Sequence, residues 1–571
     1  MLAPERKKQE KPNPDVLLLK FWEDSKTRKP ISHYQGLEVK VCINPNCPDC
    51  KGVFFVKMLP SGKKIPPKLR QRDYTKVRLQ KITPRDKEKK SFYIAHIPPS
   101  EIKKNKPLRH GGLFKRRIKT QVDLVHLGGM PGRGGSALAF WNREKDRILG
   151  IDWGLRIESH DPKVLEGLDE HINPFQLPCE DFLIRHIHRY EGIIGSHRHE
   201  DHIGAMRYFP REVIDSKLPI YLTPWPAECI KYECDIAGKP IPNIYTFKPG
   251  QEIVTESFKV RSFELPHSTP ESCGFIVETG NVKILVLTDF KLTCETIKSR
   301  EETINKLKQI AKQERIDTLV LDAIGASRPG ISRPHEEIVN SIGKIIDQSP
   351  GRVIISLFST NLDRIKSFIR EAEERDRYAL PYGRGMETSF GIANKLGYIE
   401  IKNTPQQLEF DELIDPAREC LFVTGCQGEL GSQLYRMAMW DQDSNIRQPQ
   451  SYLQKDDTVI ISSDPIPGNE NSFFNVVRGC LNYHANVWIN EDIRGKLPGD
   501  LAMFDRFKFA RTHVSGHEAK DGLRLILSAF PKIPVYLSHA TYEAIAVFQN
   551  ELIERNRRLI LPVRVGECIQ I

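Results

Sequence analysis

No apolar run in this 571-residue chain reaches the ~20 residues that a membrane-spanning helix needs. The first residues, Met1 to Pro14, are charged and proline-containing and have no hydrophobic stretch of the kind a secretory signal requires. Cysteine is sparse, at 12 positions, and clusters only once, which suits a reducing interior better than a disulfide scaffold. The expectation is a soluble cytoplasmic protein with no membrane partner. No internal repeat is visible. The glycine-rich run 128–135 lacks the Gly-Lys-Ser/Thr ending of a phosphate-binding loop and reads as hairpin chemistry.

What the chain has is length for two or three domains and an uneven distribution of charge. Residues 1–120 carry 31 Lys and Arg against 11 Asp and Glu, while the remainder carries 54 against 63. A basic first segment on a slightly acidic body points to contact with a polyanion by the former and a different task for the latter.

The first 20 residues read as disordered, and short β-like runs separated by basic turns follow to about Lys119, as in a small β-rich module. From Val122 to Leu321 the runs 122–127, 147–151, 259–264, 274–278, 282–287 and 318–321 read as strands of an α/β or α+β sandwich. Between about Arg333 and Asp492 strands alternate with helices, as in a parallel α/β unit. Residues 352–358, 421–424 and 458–461 are strands, and 361–375 is an amphipathic helix with Leu362, Ile365, Phe368 and Ile369 on its apolar face. Short elements at 534–537 and 559–563 return to the first pattern.

The segment that carries chemistry is His197-Arg198-His199-Glu200-Asp201-His202, which follows the buried-strand run 192–195. In an extended segment alternate side chains share a side, so His197 and His199 can hold one ion. Asp201 and His202 can reach a second. Imidazole and carboxylate suit zinc or manganese, and two neighbouring ions can activate one shared water. Two ions need further ligands, and His267, Asp289 and His539 each stand at a strand end or beside a turn. A carboxylate at Asp289 could bridge both ions.

With these segments in place the chain resembles the metallo-β-lactamase fold, and within it the β-CASP nucleases of ribonuclease J type. The resemblance runs over about residues 122–571. It is carried by Ile151-Asp152-Trp153-Gly154, the 197–202 motif, His267-Ser268-Thr269-Pro270, Thr288-Asp289-Phe290-Lys291 and Ser327-Arg328-Pro329-Gly330. It continues through residues 383–386, 424–429, 463–470 and His513-Val514-Ser515-Gly516-His517. It implies an αββα sandwich (121–334 and 512–571) interrupted by a β-CASP α/β domain at 335–511, with a basic module at 1–120 in front.

By the same likeness His197, His199 and His267 would hold one ion and Asp201, His202 and His539 the other, with Asp289 bridging. Asp152 would orient ligands from behind. His517, with His513, Ser515 and Gly516, would meet the scissile phosphate, His517 either stabilising its charge or protonating the leaving oxygen. The implied activity is metal-dependent cleavage of single-stranded RNA, exonucleolytic from the 5′ end with some endonuclease action. Zinc is the first choice of metal, manganese or magnesium the others. A DNA nuclease of the same fold and an inactive RNA-binding scaffold are the alternatives.

The chain also departs from that pattern. Asp322-Ala323-Ile324-Gly325 stands where the family has Asp-Ser-Thr-Asn, and only about 32 residues follow His539, so a homodimer is an open expectation. Residues 494–511 look additional. There Phe504, Arg506, Phe507, Lys508, Phe509 and Arg511 interleave rings and cations, as a single-strand channel would, or as an amphipathic strand with a buried aromatic face would. Cys42, Cys47 and Cys50 resemble half a structural zinc site that lacks a fourth ligand, for which His33, His96 and His110 are candidates.

Overall fold

The computed structural model describes residues 120–571 apart from 130–134, 157–175, 294–295, 403–414, 443–450 and shorter stretches at 467, 500, 502–504 and within 541–565. Of residues 1–119 it describes the backbone of short strands between Leu17 and His96. These belong to a separate unit, Met1–Arg117, in which strand Phe92–His96 pairs antiparallel with both Leu17–Glu23 and Arg78–Ile82. The unit's described residues are all in strands. Cys47, Cys50, His33 and His110 lie outside the described residues, and of Cys42 and His96 only the backbone is described.

The second unit, Ile118–Ile571, contains three sheets. The first is built from β1 (Val122–Gly128), β2 (Ala137–Asn142), β3 (Arg147–Ile151), β4 (Tyr190–Ile194), β5 (Ile220–Leu222) and β6 (Ile244–Thr246). The second follows with β7 (Glu252–Val254), β8 (Lys259–Glu264), β9 (Cys273–Thr279), β10 (Val282–Leu287) and β11 (Thr318–Asp322). The chain then leaves this sandwich for a six-stranded sheet of β12 (Val353–Ser356), β13 (Tyr378–Tyr382), β14 (Glu419–Val423), β15 (Thr458–Ile461), β16 (Asn486–Asn490) and β17 (Phe507–Ala510). It returns as β18 (Val535–Ser538), which pairs parallel with β11, and as β19 (Leu559–Ile560). It closes on the first sheet with β20 (Glu567–Gln570), antiparallel to β1. The third sheet is thus an insertion between two neighbouring strands of the second.

The sandwich strands bury both faces, which is why they read as nearly continuous apolar runs. On β1, Val122 and Leu124 point between the sheets with Phe140, Phe275 and Val286, while Val125 and Leu127 point outward. Helices cover the outer faces. On the first sheet Ala227, Ile230 and Cys234 come from α2 (Pro224–Ile236), which follows the single-turn helix α1 (Glu200–Ile203). On the second, Leu307 comes from α3 (Ile297–Gln313) and Leu523, Ile526 and Leu527 from the helix Lys520–Ala529.

The inserted sheet is all-parallel and covered on both sides. One side packs α4 (Glu336–Asp347) and α5 (Leu362–Glu373), with Ile365, Phe368 and Ile369 buried on the face their spacing predicts. Phe390, Ile392 and Ala393 of α6 (Arg384–Lys395) join the same core. So do Trp225 and Cys229 of α2, so the insertion and the sandwich share apolar contact beside the site.

Candidate metal centre

The ligand cluster forms where strands of both sandwich sheets end. β4 stops at Ile194, and Ser196 turns the chain by donating its N–H (2.7 Å) and its hydroxyl (3.0 Å) to Asp152. His197 and Arg198 form a bend and His199 alone is extended, so the two histidines are brought together by a bend and not by the alternation of a strand; Asp201 and His202 sit in the helical turn α1. At about 100° per residue, that turn carries them away from the first two histidines toward a second position. Backbone packing fixes the turn. The Asp201 carbonyl accepts the Ser136 N–H at 2.6 Å, and a Cβ on Gly135 or Gly154 would collide with it. The glycine-rich run that reads as a hairpin connection therefore also buttresses the motif.

The seven expected ligands come together in two groups that share one residue. His197, His199, His267 and Asp289 form one, and Asp201, His202, His539 and Asp289 the other, each with its ligand atoms within 4.8 Å of one another. His199 Nδ1 lies 3.0 Å from both His197 Nε2 and His267 Nε2. Asp289 Oδ2 is 3.1 Å from His202 Nε2, and Oδ1 is 2.8 Å from His539 Nδ1. Asp201 Oδ2 is 2.9 Å from His539 Nε2.

The outward nitrogens are already satisfied. His202 Nδ1–H donates to Asp152 at 2.7 Å and His267 Nδ1–H to the Gly516 carbonyl at 2.9 Å. His197 Nδ1–H donates to Ser196 Oγ at 2.9 Å. Such partners leave the inward nitrogens as lone pairs. Asp289 Oδ2 and His202 Nε2 are fully buried and face each other at 3.1 Å without good hydrogen-bond geometry, an arrangement that a bound cation would satisfy. A neutral protein has no use for nitrogen lone pairs converging on one another around a buried carboxylate; divalent cations fit this donor set.

The electrostatics separate the two groups. Burial, reinforced by the neighbouring histidines, holds His197 and His267 well below the ordinary imidazole range, and burial brings His199 down to about 4. These rings are neutral at pH 7 and need shed no proton to bind metal. Burial opposes charge on His202 and His539 too, but Asp289 with Asp152 or Asp201 outweighs it and raises both. Asp152 and His539 also take left-handed backbone angles, φ 61° and 53°, uncommon outside glycine and of the kind held at functional sites.

His517 stands beside the cluster. Its Nδ1 is 2.9 Å from Asp322 Oδ2 and 3.7 Å from Asp289 Oδ2, and no described residue bonds its Nε2. Ser515 Oγ accepts the His517 N–H at 3.1 Å, and the Gly516 carbonyl holds His267, so this segment is tied directly to the ligand set. His513 is turned toward Arg364, whose guanidinium donates to its Nδ1 at 3.0 Å.

Asp322 escaped the sequence reading as a site residue. Its signal was available: like Asp289, it ends an apolar strand, and β10 and β11 are parallel neighbours. Glu518 also went unnoticed. It is fully buried and accepts the backbone N–H groups of Leu292 (2.5 Å), Ser332 (2.8 Å) and Ala519 (2.9 Å), which fixes the loop after Asp289 against that after His517.

On β17 the proposed channel residues divide. Phe507 is buried, and Lys508 is exposed with its ammonium 5.2 Å from the Trp488 ring centre. Arg506 pairs with Asp456 at 2.6 Å and Arg511 with Asp492 at 2.7 Å, as well as with Glu491. Phe504 lies outside the described residues.

Comparison with known proteins agrees with this geometry. Residues 350–479 match the family described as ribonuclease J, beta-CASP domain, and residues 167–328 match the beta-lactamase superfamily domain. Ribonuclease J of Thermus thermophilus is 29% identical over 412 residues, 71% of this chain and 66% of that protein. Ribonuclease J of Helicobacter pylori strain J99 is 30% identical over 438 residues, covering 75% and 57%. The chain thus spans just under two thirds, or less, of these relatives' length. A crystal structure of an Enterococcus faecalis protein of unknown function shares the fold at a TM-score of 0.52, with 15% identity, over 79% of this chain and 100% of that one. The chain belongs with the ribonuclease J-like β-CASP proteins of the metallo-β-lactamase fold.

Proposed function

We propose that the protein is a two-metal ribonuclease that cleaves single-stranded RNA, chiefly as a 5′-to-3′ exonuclease and secondarily within the chain. The observation that carries this reading is the pair of ligand groups sharing Asp289, with His517 beside them. Two divalent ions, zinc first among the candidates, would supply a hydroxide at neutral pH and offset charge on the phosphoryl oxygens. His197, His199 and His267 would hold one, and Asp201, His202 and His539 the other.

The protein's own groups do the rest. Asp322 holds the His517 Nδ1–H and so turns Nε2 toward the substrate, where it steadies the phosphate or gives a proton to the leaving oxygen. Lys291, Lys366, Arg370 and Lys402, interspersed with Asp363, Glu373 and Glu400, line a cavity of about 330 Å³ that reaches His267 and Ser268. This volume lies in the range of small-ligand pockets, and its cations suit the phosphate of a terminal nucleotide. That placement beside the ligands supports the exonucleolytic reading, because a held end puts the next phosphodiester near the cluster. Lys508 and the basic segment 1–120 are further contacts for the RNA strand.

The test uses 5′-labelled RNA with monophosphate or triphosphate ends and matched single-stranded DNA, with zinc or manganese added. Mononucleotides released from the monophosphate RNA are expected. Short oligonucleotides alone would favour an endonuclease, and cleavage confined to DNA would overturn the choice of substrate.

A further inference from the structure

Glu271 lies four residues after the ligand His267, in the loop that joins β8 to β9. It is a non-glycine residue at φ 61°, a backbone state that costs of order 1 kcal/mol and persists only where its surroundings enforce it. Its carboxylate makes two bonds to different parts of the molecule. One oxygen accepts the Trp225 N–H at 2.8 Å, one of the unpaired donors in the first turn of α2, where a negative charge is favoured. The other accepts the Tyr398 hydroxyl, just beyond α6 in the inserted domain. The Trp225 and Tyr398 rings meet edge to face at 6.3 Å.

The position of Tyr398 gives this contact a consequence. The cavity beside the ligand cluster has His267 and Ser268 on one wall and Ile399, Glu400 and Lys402 on another. Glu271 therefore joins the loop that forms the first wall to the residue next to the second. The other polar links between α2 and α6, Lys395 with Glu228 (2.7 Å) and Thr388 with Tyr232 (3.2 Å), are exposed. His267 has its own anchor in the Gly516 carbonyl, so the ligand does not depend on Glu271 for its orientation.

We propose that Glu271 is a positioning residue that, through Tyr398, holds the two walls of this cavity at one separation and so sets how tightly the end of an RNA strand is gripped. The inference rests on the ribonuclease reading for its substrate but not for its structural half.

The test uses the full-length, metal-loaded protein. Glu271→Ala and Tyr398→Phe are each expected to raise KM for single-stranded RNA about 5–10-fold, with kcat within about twofold, the pattern expected when binding common to ground and transition states is removed. Metal content stays at the wild-type value. The double variant is no worse than Glu271→Ala, since Tyr398→Phe removes only an interaction that Glu271→Ala has already removed. Glu271→Gly, which relieves the backbone but lacks the carboxylate, behaves like Glu271→Ala. Glu271→Gln, which keeps an oxygen for Trp225 and an amide for Tyr398, recovers most of the loss. An unchanged KM in both single variants, additive losses in the double, loss of metal, or a wild-type KM in Glu271→Gly would each overturn the proposal.

Hydrogen exchange separates this inference from the reading beneath it. Without RNA, Glu271→Ala should speed exchange in residues 267–272 and 396–402 together, and acceleration in the first segment alone contradicts the link. A wild-type protein that cleaves no RNA would end the ribonuclease reading and leave the exchange result standing.

Discussion

Asp289 ends an apolar strand, is 1% exposed, and offers one oxygen to His539 and the other to His202. Asp322 does the equivalent for His517 one strand over. If Asp322 works only by holding that ring, Asp322→Asn should lower kcat/KM about 10–100-fold, the range found for partners behind functional histidines, while metal content stays unchanged. Metal analysis beside steady-state kinetics checks this, and loss of an ion would show that Asp322 serves the ligands instead. Two histidines away from the ligand set add to the acid sensitivity of the fold. Burial, aided by Lys291 and Arg364, holds His335 well below 6.5, and burial with Arg364 does the same for His513. A depressed histidine binds its proton more readily when unfolded. Stability is therefore whole above pH 6.5 and falls as the pH drops below it, by up to about 1.4 kcal/mol per pH unit for each residue. Denaturant melts from pH 7.5 to 5 should show a flatter decline in the double variant His335→Gln, His513→Gln.

At the scale of elements, the site is a set of strand ends with short, tightly packed connections. The strands were legible because burial on both faces leaves uninterrupted apolar runs, as in residues 282–287, 353–356 and 458–461. The candidate ligands could be picked out because His197, His199, Asp289 and His539 each stand close beyond such a run. The turn α1 was not, since four residues of helix leave no periodicity to read. Nor were Glu518, Arg364 and Glu271, whose partners lie up to 226 residues away and meet them only in the folded chain. The glycines behind α1 give a direct test. In Gly154→Ala the added methyl meets the Asp201 carbonyl, and overpacking of this kind costs typically about 1–3 kcal/mol. The expected result is a lower melting temperature together with weaker binding at the Asp201–His202–His539 position, read by metal titration. A variant with wild-type affinity at both positions would show that the turn does not need this support.

Across the whole molecule, the inserted domain interrupts the second sheet between β11 and β18, and the strand-end residues Asp322 and His539 flank that interruption. Insertion at this point places cations of α5 beside His267 without disturbing the sandwich core. The basic first unit adds charge of the sign an RNA strand requires, and the acidic remainder does not. Removing residues 1–117 should weaken RNA binding and flatten its salt dependence, by about 0.7 in the slope of log affinity against log salt for each phosphate that the unit neutralises. Anisotropy titrations across a salt series measure it, and an unchanged slope would assign that unit another role. The central claim is that two metal ions held through Asp289 drive RNA cleavage. It is tested most directly by comparing the wild-type protein with Asp201→Ala, His202→Ala on 5′-monophosphate RNA, with bound metal counted in both. The account predicts two ions and mononucleotide products in the wild type, and one ion and no products in the variant. Equal cleavage by the two proteins would contradict it.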